Sequence, residues 1–207
     1  MNSRSPSGKQ VQKLRDRLRE QTGQAILAAA EEVFAEEGLS AHMGDIAARA
    51  GLAVGTLYNH FKDRDALLSG LLASRGEETI AALDRALAAA GRRPFRVQLA
   101  TLLGTIFEHF ETHRRFFGMV MASGEHKSGP GPSPIFQELY LRIEKVMKAG
   151  VREKALRSDA ASICPALLIG MIRGLVLRQI HFFPGAPLLD QVGLLTDVFL
   201  NGAGARA

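Results

Sequence analysis

Ala47 and Gly51 stand four residues apart between two short apolar-patterned segments, and this pair constrains the fold more than any other feature of the chain. Two helices joined through a tight turn at a steep angle need a turn residue that tolerates positive φ, which is the property of glycine. They also need a small side chain one helical turn earlier, because a larger one would hold the two helices apart. Gly51 meets the first demand and Ala47 the second. Ile46, Ala50, Leu52 and Leu57 then fall where the pair must face a supporting helix, and Val54, Gly55, Thr56, Tyr58, Asn59 and His60 are left largely outward.

A supporting helix precedes the pair. Ile26, Ala30, Val33 and Phe34 recur as one helical stripe with Glu31, Glu32, Glu36 and Glu37 mostly off it, and Gly38 supplies a stop. A fourth helix is expected near Asp63, with Asp63 as N-cap, Asp65 adding favourable charge, and Leu67, Leu68, Leu71 and Leu72 inward. It runs to about Ala90, where GRRP breaks it. Helices follow near residues 95–112, 114–123, 134–154, 159–182 and 187–201, and GEHKSGPGPSP is a loop. No segment alternates cleanly at period two and no Asn-Gly or Asp-Gly hairpin occurs, so the chain reads as all-α.

At 207 residues and 46% hydrophobic, the chain can bury one good core, or carry a small module fused to a larger one. The division expected is a basic, flexible arm over 1–19, a helix-turn-helix domain over 20–68 and a larger helical domain over 69–207. Arg4, Lys9, Lys13, Arg15, Arg17 and Arg19 stand against Asp16 in the arm, which accounts for the whole net charge of +5. Such a tail favours a polyanion, because neutralising phosphates releases counterions. The most apolar run, Ala161 to Ile172, contains Pro165, ends at Arg173 and falls short of the ~20 residues that span a bilayer. The first twenty residues have no apolar core of a secretion signal, and Cys164 has no second cysteine to pair with, so no membrane and a reducing, cytoplasmic setting are expected.

Residues 26–68 carry the motifs DIA, AG, GTLYNHF and DALL, and in that combination they resemble the DNA-binding domain of the tetracycline-repressor (TetR) family. The resemblance implies an N-terminal three-helix DNA-binding domain and a C-terminal helical domain for ligand binding and dimerisation. It implies that Val54, Gly55, Thr56 and Asn59 face bases in the major groove, and that Tyr58, His60 and Lys62 grip the backbone of a double-stranded operator. The chemistry agrees: glycine allows close approach, a hydroxyl and an amide bond base edges, and Val54 suits a thymine methyl. This chain departs from the family at three places. Ala53 stands where a Ser or Thr usually caps the third helix, Val54 stands where Lys is common, and LSAHMGD is one residue short and leaves His42 to substitute for the usual cap.

The same resemblance implies a homodimer through the last two helices, a palindromic operator, repression, and control by a small apolar or amphipathic effector. Ile163, Leu167, Leu168, Met171, Ile172, Leu175 and Val176, followed by Leu188, Leu189, Val192, Leu195, Val198 and Phe199, supply apolar material for that interface or for intrachain core, and Gly170 and Gly174 allow close approach. Phe107, Phe110, Phe117, Met121, Phe136 and Tyr140 group aromatics and thioethers as an apolar pocket or as plain core, with His113 and Arg173 placed to orient a ligand.

No enzymatic constellation is found. His109 and His113 are four apart, but Phe110 stands where a zinc protease has glutamate; no metal, catalytic residue or cofactor is expected. The competing class is a helical interaction protein without specific DNA binding, in which the polar face of the third helix is solvated surface.

Overall fold

The computed structural model describes residues 8–123, 133–183 and 185–202. Among them nine α-helices occur: α1 Gly8–Glu37, α2 Met43–Arg49, α3 Val54–His60, α4 Arg64–Ala90, α5 Phe95–Thr112, α6 Arg114–Ser123, α7 Pro134–Arg152, α8 Cys164–Phe182 and α9 Val192–Asn201. The described residues form no strand, as the missing period-two signal required. The chain divides into two compact units, Met1–Ala73 and Ser74–Ala207. None of the described helices is long and apolar enough to cross a membrane.

In the first unit, Ile26, Ala30, Val33 and Phe34 of α1 are buried together with Ile46 and Ala47 of α2, Leu57 of α3, and Leu67 and Leu71 of α4. Each fully buried Leu, Ile or Phe contributes about 1.5–3 kcal/mol by leaving water. Phe61, half-buried, lays its ring against Gly70 so closely that a Cβ there would stand 2.8 Å from the ring edge. The helix α1 starts at Gly8, so most of the segment expected as a flexible arm is helical, with residues 9–19 all exposed.

The second unit buries Leu99, Leu102, Leu103, Phe107 and Phe110 of α5 among Leu83, Ile143, Val146, Met147, Leu168, Val176 and Leu195. Phe95 enters over Gly150, whose hydrogen is required: a Cβ would lie 2.8 Å from that ring. Two N–H groups of this unit are satisfied by carboxylates far away in sequence. The Phe95 amide at the start of α5 donates to Glu153 at 2.7 Å, across 58 residues, and the Leu188 amide donates to Glu111 across 77. Arg142 of α7 clasps Asp84 of α4 at 2.8 Å and Glu138 on its own helix, and its hydrogen bond holds the Asp84 carboxyl below the usual range.

Three helix boundaries differ from expectation for local reasons. Helix α7 ends at Arg152 rather than 154, where Lys154 takes φ 58° and the Ala155 amide turns back to the Gly150 carbonyl at 2.9 Å. Helix α8 starts at Cys164 rather than 159, because Pro165 lacks an N–H and fits only the first turn; Ser158–Ala160 closes a separate 3-10 turn. Helix α9 starts at Val192 rather than 187, after a 3-10 turn at Leu189–Gln191 that follows the diverted Leu188 amide.

Candidate nucleic-acid interface

The turn between α2 and α3 has the geometry demanded of it. Gly51 sits at φ +68° with open space around its missing Cβ, so the backbone conformation and not crowding selects glycine there. The Leu52 amide closes the turn on the Ala47 carbonyl at 2.9 Å. Ala47 is fully buried, Ile46 likewise, while Ala50 and Leu52 are partly covered.

Helix α3 is short and anchored through one fully buried side chain, Leu57. Val54 and Tyr58 are 43% and 50% exposed, large values for groups of that size. Gly55 and Asn59 are exposed with them, and Thr56 is half-buried. The N-cap is Ala53 without a side-chain hydrogen bond, and His42 before α2 makes none either, so the substitution expected of His42 does not occur.

The backbone-gripping set divides. Tyr58 stands free on the surface, and Lys62 is exposed, 3.6 Å from Asp63. His60 instead leans toward α1, its Nδ1 3.6 Å from where a Cβ on Gly23 would stand, half-buried. Asp63 caps α4 as expected, accepting from the Ala66 amide at 2.7 Å. Arg49 bridges Glu36 at 2.7 Å and Glu32 at 3.1 Å on α1, and those hydrogen bonds, Glu36 first, raise its pKa further; it ties α2 to its support.

Tyr58 borders an open concavity of about 610 Å³ whose other walls are Ser40 to Gly44 and Asp63 to Asp65. Sequence reasoning passed over Ser40, Gly44 and Arg64 as parts of this surface. The only signal for them was that Arg64 follows Lys62 in the run KDRD.

In the second unit the expected pocket residues separate by burial. Phe107 and Phe110 are core; Phe117 stacks on Phe110 with centroids 6.0 Å apart and receives the edge of His113 at 6.3 Å. Tyr140 is partly covered, whereas Met121, Phe136 and Arg173 are less enclosed, the first two at 40% and 42% exposure. The loop expected at 124–134 lies almost wholly outside the described residues.

Residues 26–71 match the family model for bacterial regulatory proteins of the tetR family. No curated protein matches the sequence. Among solved structures, the chain is similar to the fatty acid degradation regulator FadR from Bacillus halodurans, with TM-score 0.77 and 17% identity over 89% of this chain and 97% of that one. It is similar to the transcriptional regulator FadR from Bacillus subtilis in complex with stearoyl-CoA, with TM-score 0.74 and 17% identity over 87% of this chain and 99% of the other. A third is PfmR of Thermus thermophilus, a TetR family transcriptional regulator, at TM-score 0.69 and 19% identity over 87% and 99%. At these identities the likeness establishes a shared fold.

Proposed function

We infer that the chain is a TetR-family regulator, since residues 26–71 match that family's model, and that it is a sequence-specific DNA-binding transcriptional regulator whose α3 enters the major groove. One observation carries this reading: Leu57 is the one fully buried residue of α3, while Val54, Gly55, Tyr58 and Asn59 stand exposed beside it. A structural helix of seven residues that served only packing would bury more of itself. Thr56, Asn59, Gly55 and Val54 face bases, and Tyr58, Lys62 and His60 contact phosphates, His60 from the edge nearest α1.

The regulator acts as a homodimer on a palindrome, with the outer faces of α8 and α9 as the interface. The apolar material there divides into two sets. Leu168, Val176 and Leu195 are buried within the chain, whereas Leu167, Gly170 and Gly174 form an exposed stripe along α8, extended by Ile163 just before the helix and joined by Leu194 of α9 at 63% exposure. An isologous pairing of such stripes lets two short recognition helices read two half-sites. The protein is not an enzyme and works as a repressor in the cytoplasm. Its effector is a small apolar or amphipathic molecule held around Phe117, His113, Met121, Phe136, Tyr140 and Arg173, against the core aromatics Phe107 and Phe110. The stearoyl-CoA bound by the similar Bacillus subtilis regulator supports that class. The effector shifts the dimer between states of unequal operator affinity.

Selection of duplexes from a random pool at near-physiological salt tests the reading. An inverted repeat should emerge; Thr56→Ala should lose about 1–3 kcal/mol of discrimination at one base position, and Lys62→Ala should weaken all duplexes alike while lowering the salt slope by about one. Equal affinity for every duplex would refute sequence-specific regulation and leave the helical interaction protein.

A further inference from the structure

Outside the DNA-facing surface, the second unit brings a carboxylate of α4 against a histidine pair some thirty residues later in sequence. Glu78 lies on α4, His109 on the last turns of α5, and His113 caps the C-terminal end of α5. One ligand atom from each lies within 4.8 Å of the others. The two imidazole centroids are 4.7 Å apart, and His113 Nε2 is 3.8 Å from Glu78 Oε2. We propose that Glu78, His109 and His113 form a binding site for a divalent late first-row transition metal ion, of the zinc(II) class.

Three features support that assignment. The set, two imidazoles and one carboxylate, is the borderline donor mixture that suits zinc and its neighbours, whereas magnesium and calcium require oxygen donors. The spacing needs little adjustment: at metal–nitrogen distances near 2.0–2.1 Å, tetrahedral ligand atoms stand about 3.3 Å apart. The three groups therefore close by up to about 1.5 Å from 4.8 Å, within the reach of side-chain rotation. Next, Nε2 of His109 is sealed from solvent without a hydrogen-bond partner. A buried polar atom left in this state is costly, and it distinguishes this residue from a satisfied core histidine.

The carboxylate is oriented from its far side. Arg75, one turn earlier on α4, bonds Glu78 Oε1 and leaves Oε2 toward His113. That guanidinium also reduces the negative charge at the site, which sets a moderate affinity. With Glu78 exposed and His113 mostly covered, the ion reaches the site from the Glu78 side. Three protein ligands leave a fourth position for water or an exogenous donor, the arrangement of an open site. The ion would pin α4 to α5 within this unit, whether or not the chain binds DNA.

The test uses the full chain without an affinity tag, titrated with cobalt(II) as the spectroscopic probe and with zinc(II) in competition against a chelating dye. The expected result is one ion per chain with the strong visible absorption of four-coordinate cobalt. His113→Ala, largely at the rim, should weaken binding by more than about 100-fold, since even outer-shell changes cost 10–100-fold, and Glu78→Gln should weaken it at least tenfold with the helical circular dichroism unchanged. The double variant His42→Ala, His181→Ala removes two other described histidines and should bind as the parent does. A cobalt spectrum that stays that of the hydrated ion would overturn the proposal. So would stoichiometric binding unchanged by both His113→Ala and Glu78→Gln.

Discussion

Adding the missing cap to α3 should stabilise this helix, and the chain contains its own reference for how much. The N-cap of α7, Ser133, has φ −60° and ψ 151°, and its hydroxyl accepts the Phe136 amide at 3.2 Å. The N-cap of α3, Ala53, has φ −65° and ψ 141° and offers no acceptor. The two backbones differ by ten degrees or less in each dihedral, so a serine at 53 reaches the same geometry without rearrangement. Ala53 is exposed, and no packing is disturbed. The gain is the value of a typical cap, about 1 kcal/mol, which slows opening of α3 by a factor of roughly five. Hydrogen exchange of the α3 amides reads that factor directly, because a seven-residue helix held by one buried leucine opens locally. Urea denaturation of Ala53→Ser and Ser133→Ala should give shifts of opposite sign with unchanged slopes. Exchange at α3 that is unchanged or faster in Ala53→Ser would refute the claim that an uncapped terminus limits this helix.

Gly51→Ala should destabilise the first unit by about 1–2 kcal/mol from the left-handed backbone alone, since a Cβ at that place meets nothing within 4 Å. Gly51→Asn should cost less in the same denaturation experiment, and an alanine variant as stable as the parent would remove the positive-φ argument. Leu167→Arg places a charge on the exposed stripe of α8 while Leu168 stays in the core; sedimentation should show monomer, and operator affinity should fall steeply with helicity intact. A dimer unaffected by that charge would place the interface elsewhere.

The layout of helices was legible because most of them bury a stripe, and a buried stripe leaves a 3.6-residue period. Where a helix buries nothing the signal weakens: Val11, Leu14 and Leu18 recur at helical spacing but are exposed along α1, so their pattern supported only a partial helix where the structure continues it back to Gly8. The steep α2–α3 turn was legible from Ala47 and Gly51 because both are local demands on backbone geometry. Contacts made across sequence were not legible. Arg49 reads as one more surface cation until Glu32 and Glu36 are seen beside it, and Glu78 has no visible link to His109 in the sequence. Proline marked the true start of α8, a constraint the apolar pattern from 159 onward overrode.

The two distant carboxylate caps bear on the order in which the chain can fold as it is synthesised. In the first unit, the α2–α3 turn, the Asp63 cap and the Arg49 bridge all close over short stretches, so that unit can complete itself once residue 73 has emerged. In the second, the leading amide of α5 waits for Glu153, and Glu111 waits for Leu188. Domains emerging from the ribosome generally fold as units, the N-terminal one first. The first unit therefore matures early, while the second stays incomplete until Leu188 is made, and a chain interrupted between the two would carry a finished small unit on an unfinished larger one.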